Sequence, residues 1–201
     1  MKSCIFTVIK NEHEYLDEWI KYHLDLGINH IFIFEDIDSD SHKEITDKYK
    51  DKVTLDCIST VLNEEDKKKA IELKQTKKSS VHRLYLKRGL LYMQKEYSNL
   101  YTWCFTIDND EFITFENENS NIRDILNIYN EYDAFILSWK CYGANGIINK
   151  PNYSDKGVVE TYLTETPCND IEKEGCACKT CYNLLKYNAD FFKNSHYPND
   201  N

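Results

Sequence analysis

The sequence predicts an α/β fold with a mainly parallel sheet. Short, continuous apolar runs rich in β-branched and aromatic residues recur along the chain, each of strand length. Amphipathic segments of helical period separate them. The joins are short, and strand–helix–strand units of this kind set neighbouring strands parallel. With 201 residues, 41% of them hydrophobic and 29% charged, one such domain buries a proper core without disulfides or a structural metal.

Residues 3–9, SCIFTVI, read as the first buried strand. Asn11 is placed to cap the next helix, with Glu14 as its capping-box partner. Tyr15, Trp19, Tyr22 and Leu26 share one helix face, and Gly27 closes it. His30–Phe34 is the second strand, running into the acidic turn Glu35-Asp36-Ile37-Asp38-Ser39-Asp40. A short helix over 42–50 precedes a strand at Val53–Ser59. Residues 63–80 are Lys-rich and read as a solvated helix or a surface arm. Ser80 is placed to cap a helix over 81–96, with Leu84, Tyr85, Leu91 and Tyr92 inward. Then come a strand at Trp103–Ile107, a helix near 121–130, a strand at Asp133–Trp139 and a loop at Cys141–Gly146. Beyond Lys150 the pattern weakens, and Val158–Leu163 reads as a strand.

A net charge of -9 and a pI near 5.2 argue against a nucleic-acid partner, which calls for a basic stripe. The leading apolar run stops at Ile9, unlike a signal peptide, and no stretch approaches the ~20 apolar residues of a spanning helix. This points to a cytoplasmic protein or one peripheral to a membrane. Of the eight cysteines, Cys4, Cys57, Cys104 and Cys141 sit in strand-like runs and read as reduced core thiols. Cys168, Cys176, Cys178 and Cys181 cluster with a spacing that is not a standard zinc pattern. They read as free thiols, with a staple of metal or disulfides as the alternative. No G-x-x-x-x-G-K-[ST] or G-x-S-x-G occurs, which removes P-loop and nucleophile-elbow chemistry.

The strongest chemical signal is Trp103-Cys-Phe-Thr-Ile-Asp108-Asn-Asp110-Glu-Phe-Ile113. In extended chain, residues two apart point the same way, so Asp108 and Asp110 would present two carboxylates past the C-terminal end of a buried strand. Ligand crevices of open α/β sheets lie there. Hard oxygen ligands suit Mn²⁺ or Mg²⁺, which leave positions open for phosphate oxygens. An acidic turn that merely ends a strand is the bland alternative. Against it, the chain re-enters apolar sequence at once at Phe112-Ile113, and clustered half-buried carboxylates are costly without a cation.

Several pieces then fall in the order of a known family. Lys10-Asn-Glu12, Tyr15-Leu-Asp-Glu-Trp-Ile-Lys-Tyr-His23 and Leu26-Gly27 resemble the N-terminal signature of family-2-like glycosyltransferases and the related family 92. Ile107-Asp108-Asn109-Asp110-Glu111-Phe112 resembles their DxDEF strand end. Trp139 to Gly146 resembles a following W-x-x-F-G loop, and Lys179 and His196 resemble the closing Lys and His. The acidic turn departs from the usual Asp-Asn-x-Ser-x-Asp.

The resemblance implies a single GT-A, Rossmann-like domain over 1–201, with a nucleotide-sugar-binding half at 1–115 and an acceptor-side half at 116–201. It implies metal-dependent transfer of a hexose from a nucleotide diphosphate sugar, UDP-linked by preference and with inversion, to a glycan, lipid-linked or protein acceptor. Lys10, Asn11 and Glu12 would lie beside the nucleotide, and Glu35 and Asp36 would meet ribose or base. Asp108 would meet ribose or the ion, Asp110 would ligate Mn²⁺ or Mg²⁺, and His196 would be a further ion or phosphate contact. Trp139, Tyr142 and Gly143 would shape the sugar pocket. An inverting transfer needs a carboxylate base. Glu165 is preferred over Glu160, Asp170 and Glu172. Arg83, Lys87 and Arg88 form a stripe that reads as a solvated helix face. The alternatives are a metal-dependent phosphoester hydrolase using the same acids, or a catalytically silent binding domain.

Overall fold

The computed structural model describes residues 1–117, 120–144, 146–153, 155–166 and 178–192, without the side chains of Lys78, Ser79, Thr166 and Phe191. Strand β1 (Ser3–Ile9) leads into helix α1 (His13–Asp25) and strand β2 (His30–Glu35). Helix α2 (Lys43–Thr46), continued by one 3₁₀ turn, precedes β3 (Val53–Cys57). Helices α3 (Glu64–Thr76) and α4 (Lys78–Tyr97) follow in succession, then β4 (Trp103–Thr106), α5 (Ile122–Ile128) and β5 (Ala134–Ser138). The two-residue strands β6 (Cys141–Tyr142) and β7 (Glu165–Thr166) pair as a small ribbon, with α6 (Val158–Thr161) between them in sequence. Strand β8 (Cys178–Asn183) completes the main sheet.

That sheet has six strands in the order β3-β2-β1-β4-β8-β5. β3, β2, β1 and β4 are parallel, and β8 lies antiparallel between β4 and β5. All six residues of β8 are buried. One face of the sheet packs Phe6, Phe34 and Tyr182 against Tyr85, Leu86, Leu90 and Met93 of α4. The other packs Ile5, Ile31, Ile33 and Phe105 against Leu16, Trp19 and Ile20 of α1 and Ile122 and Leu126 of α5. The apolar strand runs are therefore covered on both sides, as a parallel sheet requires.

Four local expectations are corrected. Asn11 does not cap α1. It takes a left-handed φ of 57°, and its side-chain oxygen accepts from the Asp40 N–H at 2.8 Å. Glu14 pairs instead with Lys150 at 2.7 Å. Residues 63–80 take the helical alternative and are not a surface arm. Asn63 caps α3 by accepting from the Asp66 N–H at 2.8 Å, and Asp66 pairs with Arg88 at 2.8 and 2.9 Å. Val158–Leu163 is not a strand, because Glu18 of α1 accepts from the N–H groups of Val158 and Val159 at 2.7 and 3.3 Å and so starts α6. Helix α4 begins at Lys78, ahead of the cap expected at Ser80. Cys4, Cys57, Cys104 and Cys181 are free thiols, and Cys168 and Cys176 lie outside the described residues.

Candidate active site

Strand order changes direction between β1 and β4, because β2 and β3 lie on one side of β1 and β4, β8 and β5 on the other. A parallel sheet opens a crevice at such a point, beyond the carboxyl ends of the two strands. A cavity of about 570 Å³ lies there. Val8, Ile9, Lys10 and Glu12 line it from the end of β1, Asp36 from β2, and Asp108, Asn109 and Asp110 from β4. Helices α3 and α4 contribute Lys74, Val81, His82 and Tyr85. Five residues expected from the sequence thus converge: Lys10, Glu12, Asp36, Asp108 and Asp110.

Helix α1 holds the acidic loop by its backbone. Trp19 Nε1–H donates to the Glu111 carbonyl at 2.7 Å, and Tyr22 OH donates to the Ile113 carbonyl at 2.8 Å. His23 is fully buried, with Nδ1 2.9 Å from the Trp19 carbonyl and Nε2 accepting from the Ile113 N–H at 3.3 Å. That pattern assigns the proton to Nδ1 and leaves the ring neutral. Burial pushes its pKa down to about 4, against the pull of the Trp19 carbonyl. The helix signature is therefore a clamp on residues 111–113.

The carboxylates behave differently. Burial opposes ionisation of Asp108, but His82 and Lys179 outweigh it and hold the group well below the usual carboxylate range. His82 Nε2 lies 3.5 Å from Asp108 Oδ1, and Lys179 Nζ lies 2.6 Å from Oδ2. Lys179 is buried near the start of β8, 3.4 Å from Glu111 and 5.6 Å from the Trp139 ring centroid. Glu111 accepts from the Asp108 N–H at 2.8 Å, and burial pushes its pKa up to about 7. Asp110 has no ion pair among the described residues, and burial and the charge of Asp108 raise its pKa.

The remaining expected residues are more scattered. Glu35 does not line the cavity: its Oε1 accepts from the backbone N–H of His42 at 2.6 Å and lies 2.9 Å from His42 Nδ1. His42 Nε2 accepts from the Glu12 N–H at 2.9 Å, so this pair fixes the β1–α1 junction. Asn11 ties that junction to the acidic turn. Trp139 joins the site through Lys179. Tyr142 stands opposite Glu165 on the β6–β7 ribbon, and Gly143 N–H donates to the Thr164 carbonyl at 3.1 Å. Glu165 is exposed, and neither it nor Tyr142 lines the cavity. His196, Asp170 and Glu172 lie outside the described residues. Arg88 and Lys87 are not a free basic stripe: Arg88 is bound to Asp66, and Lys87 donates to the Asp190 carbonyl at 3.0 Å. Sequence reading missed Lys74, His82 and Tyr85, which look like any other helix residues until α3 and α4 fold over the crevice.

One feature of the cavity wall would suit a divalent cation. Among the described residues no three His, Cys, Asp or Glu side chains form a closed metal cage. Asp110, however, offers hard oxygens that form no ion pair among the described residues, next to the negative charge of Asp108 and Glu12. One or two carboxylates plus substrate phosphates is how Mg²⁺-like ions are commonly held.

Residues 1–189 match the model of glycosyltransferase family 92. The chain belongs to that family. No curated protein matches the chain. Among solved structures, a crystal structure of S. aureus TarS 1–349 aligns over 95% of this chain and 51% of its own, with 13% identity and a TM-score of 0.47. The chain thus spans about half the length of that structure. The match bears out the resemblance to family 92. Among the described residues, no helix is long and apolar enough to cross a membrane.

Proposed function

We propose that this family 92 chain transfers a hexose from a nucleotide diphosphate sugar, UDP-linked by preference, to an acceptor hydroxyl, aided by Mn²⁺ or Mg²⁺ at Asp110. The observation that carries this is the placement of Asp108 and Asp110 at the end of β4, on the wall of a cavity at the switch point of the sheet. A divalent ion there would offset charge on the departing diphosphate. Lys179 and His82 keep Asp108 ionised and fixed, so that carboxylate works as a rigid acceptor. Asp110 is the group free to hold the ion. Lys10, at the mouth of β1, adds positive charge to a largely acidic wall. Inversion would call for a carboxylate near the acceptor, and Glu165 on the exposed ribbon is the candidate. The acceptor is a glycan, a lipid-linked sugar or a protein.

Thermal melting with UDP, GDP and CDP, each with and without Mn²⁺, tests the reading. A rise in Tm that needs both nucleotide and metal, and that disappears in Asp110→Asn, is expected. Phosphoester cleavage without sugar transfer would replace the reading with a hydrolase. No response to any nucleotide would leave a silent domain.

A further inference from the structure

We infer that Lys74 and Tyr85 are positioning residues that aim one oxygen of Asp36 at the ribose of a bound nucleoside diphosphate. The inference rests on the nucleotide reading above and adds a mechanism of recognition to it. Asp36 sits just past β2, and its side chain is only 14% exposed. Its Oδ1 is crowded with donors: the Ile37 N–H at 2.7 Å, Lys74 Nζ at 2.9 Å and Tyr85 OH at 3.4 Å. Its Oδ2 accepts no hydrogen bond among the described residues, and Lys10 Nζ lies 3.8 Å from it. One oxygen is pinned and the other is open beside the cavity that Asp36, Lys74 and Tyr85 all line.

An open carboxylate oxygen accepts from hydroxyls and repels phosphates, so it selects the sugar of the nucleoside over its diphosphate. Lys74 is poorly placed to serve the diphosphate itself. Its ammonium is already shared between Asp36 and Asp38, at 2.9 and 2.7 Å. Nor is it a loosely waving surface lysine. Helix α3 is seated by the buried Ala70 and by the Asp66–Arg88 pair, so the ammonium is delivered by a docked element. Tyr85, from the neighbouring helix, approaches the same oxygen, and two independent elements therefore fix one carboxylate.

Calorimetric titration with UDP, 2′-deoxy-UDP and 3′-deoxy-UDP, in Mn²⁺, tests this. Wild type should bind UDP about tenfold more tightly than at least one deoxy analogue, the effect of one hydrogen bond to a charged acceptor. Lys74→Met should bring that ratio close to one, and Lys74→Arg should restore it. Tyr85→Phe, which removes only a hydroxyl and keeps the ring in the core, should reduce the ratio by a smaller factor. Wild type that binds UDP and both deoxy analogues equally would overturn the inference while leaving the nucleotide reading intact. Folded Lys74→Met and Tyr85→Phe that both keep the full ratio would do the same. Wild type that binds no nucleoside diphosphate would remove the nucleotide reading and this inference together.

Discussion

His23 does at one position what the loop after β4 needs: it accepts from the Ile113 N–H while its own N–H is spent on Trp19. Only the neutral ring can do this. Its pKa falls from 6.5 to about 4 on folding, so below about 6.5 the unfolded chain takes up a proton that the folded chain refuses. Stability contributed by the neutral ring is complete above 6.5 and is lost as pH falls toward about 4. The melting temperature of wild type should decline over that interval. His23→Gln, which cannot titrate, should show a flatter profile. Tyr22→Phe removes the bond to Ile113 without emptying space, and should cost about 1 kcal/mol in denaturant unfolding. At this scale the sequence named the carboxylates but not their partners. Asp108 and Asp110 stand out because polar residues interrupt an apolar strand. Lys74 and His82 lie on helices rich in exposed polar residues, and nothing local marks them. Glu35 shares that ambiguity, because an acidic turn looks alike whether its carboxylate meets a ligand or a buried imidazole.

Elements meet here by close approach and by one buried charge pair. Helix α4 crosses β1 at Gly89, where an added Cβ would overlap the ring of the buried Phe6. Gly89→Ala should therefore destabilise by about 1–3 kcal/mol, seen as a lower urea midpoint at unchanged slope. Helix α3 is held to α4 by Arg88 and Asp66, and the Asp66 side chain is 5% exposed. Arg88→Met would leave that carboxylate unpaired, at a cost toward the lower end of ~3–5 kcal/mol because the arginine is itself partly exposed. Since α3 carries Lys74, the same variant should also weaken nucleotide binding. Strands and helices up to β5 were readable because each apolar run has one period and a clear end. Residues 158–163 were not: Val158 and Val159 favour a strand by composition, and only the distant Glu18 turns their N–H groups into a helix start.

For the molecule as a whole, the acidic excess is organised at the switch point of the sheet. Glu12, Asp36, Asp108 and Asp110 face Lys10, Lys74 and His82 across one cavity. Removing an unpaired carboxylate from that wall relieves repulsion when no cation is bound. Asp110→Asn should therefore melt slightly above wild type in EDTA and below it in Mn²⁺ with UDP. The parallel half of the sheet was readable from the βαβ rhythm, whereas the antiparallel insertion of β8 was not, because it joins residues far apart in sequence. That insertion also orders events in time. On the ribosome, β4 and β5 emerge well before residues 178–183, and each waits with an unpaired edge for the strand that bonds to both. The nascent chain should therefore stay open to chaperones until β8 arrives. The same strand brings Lys179, so the sheet closes and Asp108 gains its counter-ion in a single late step.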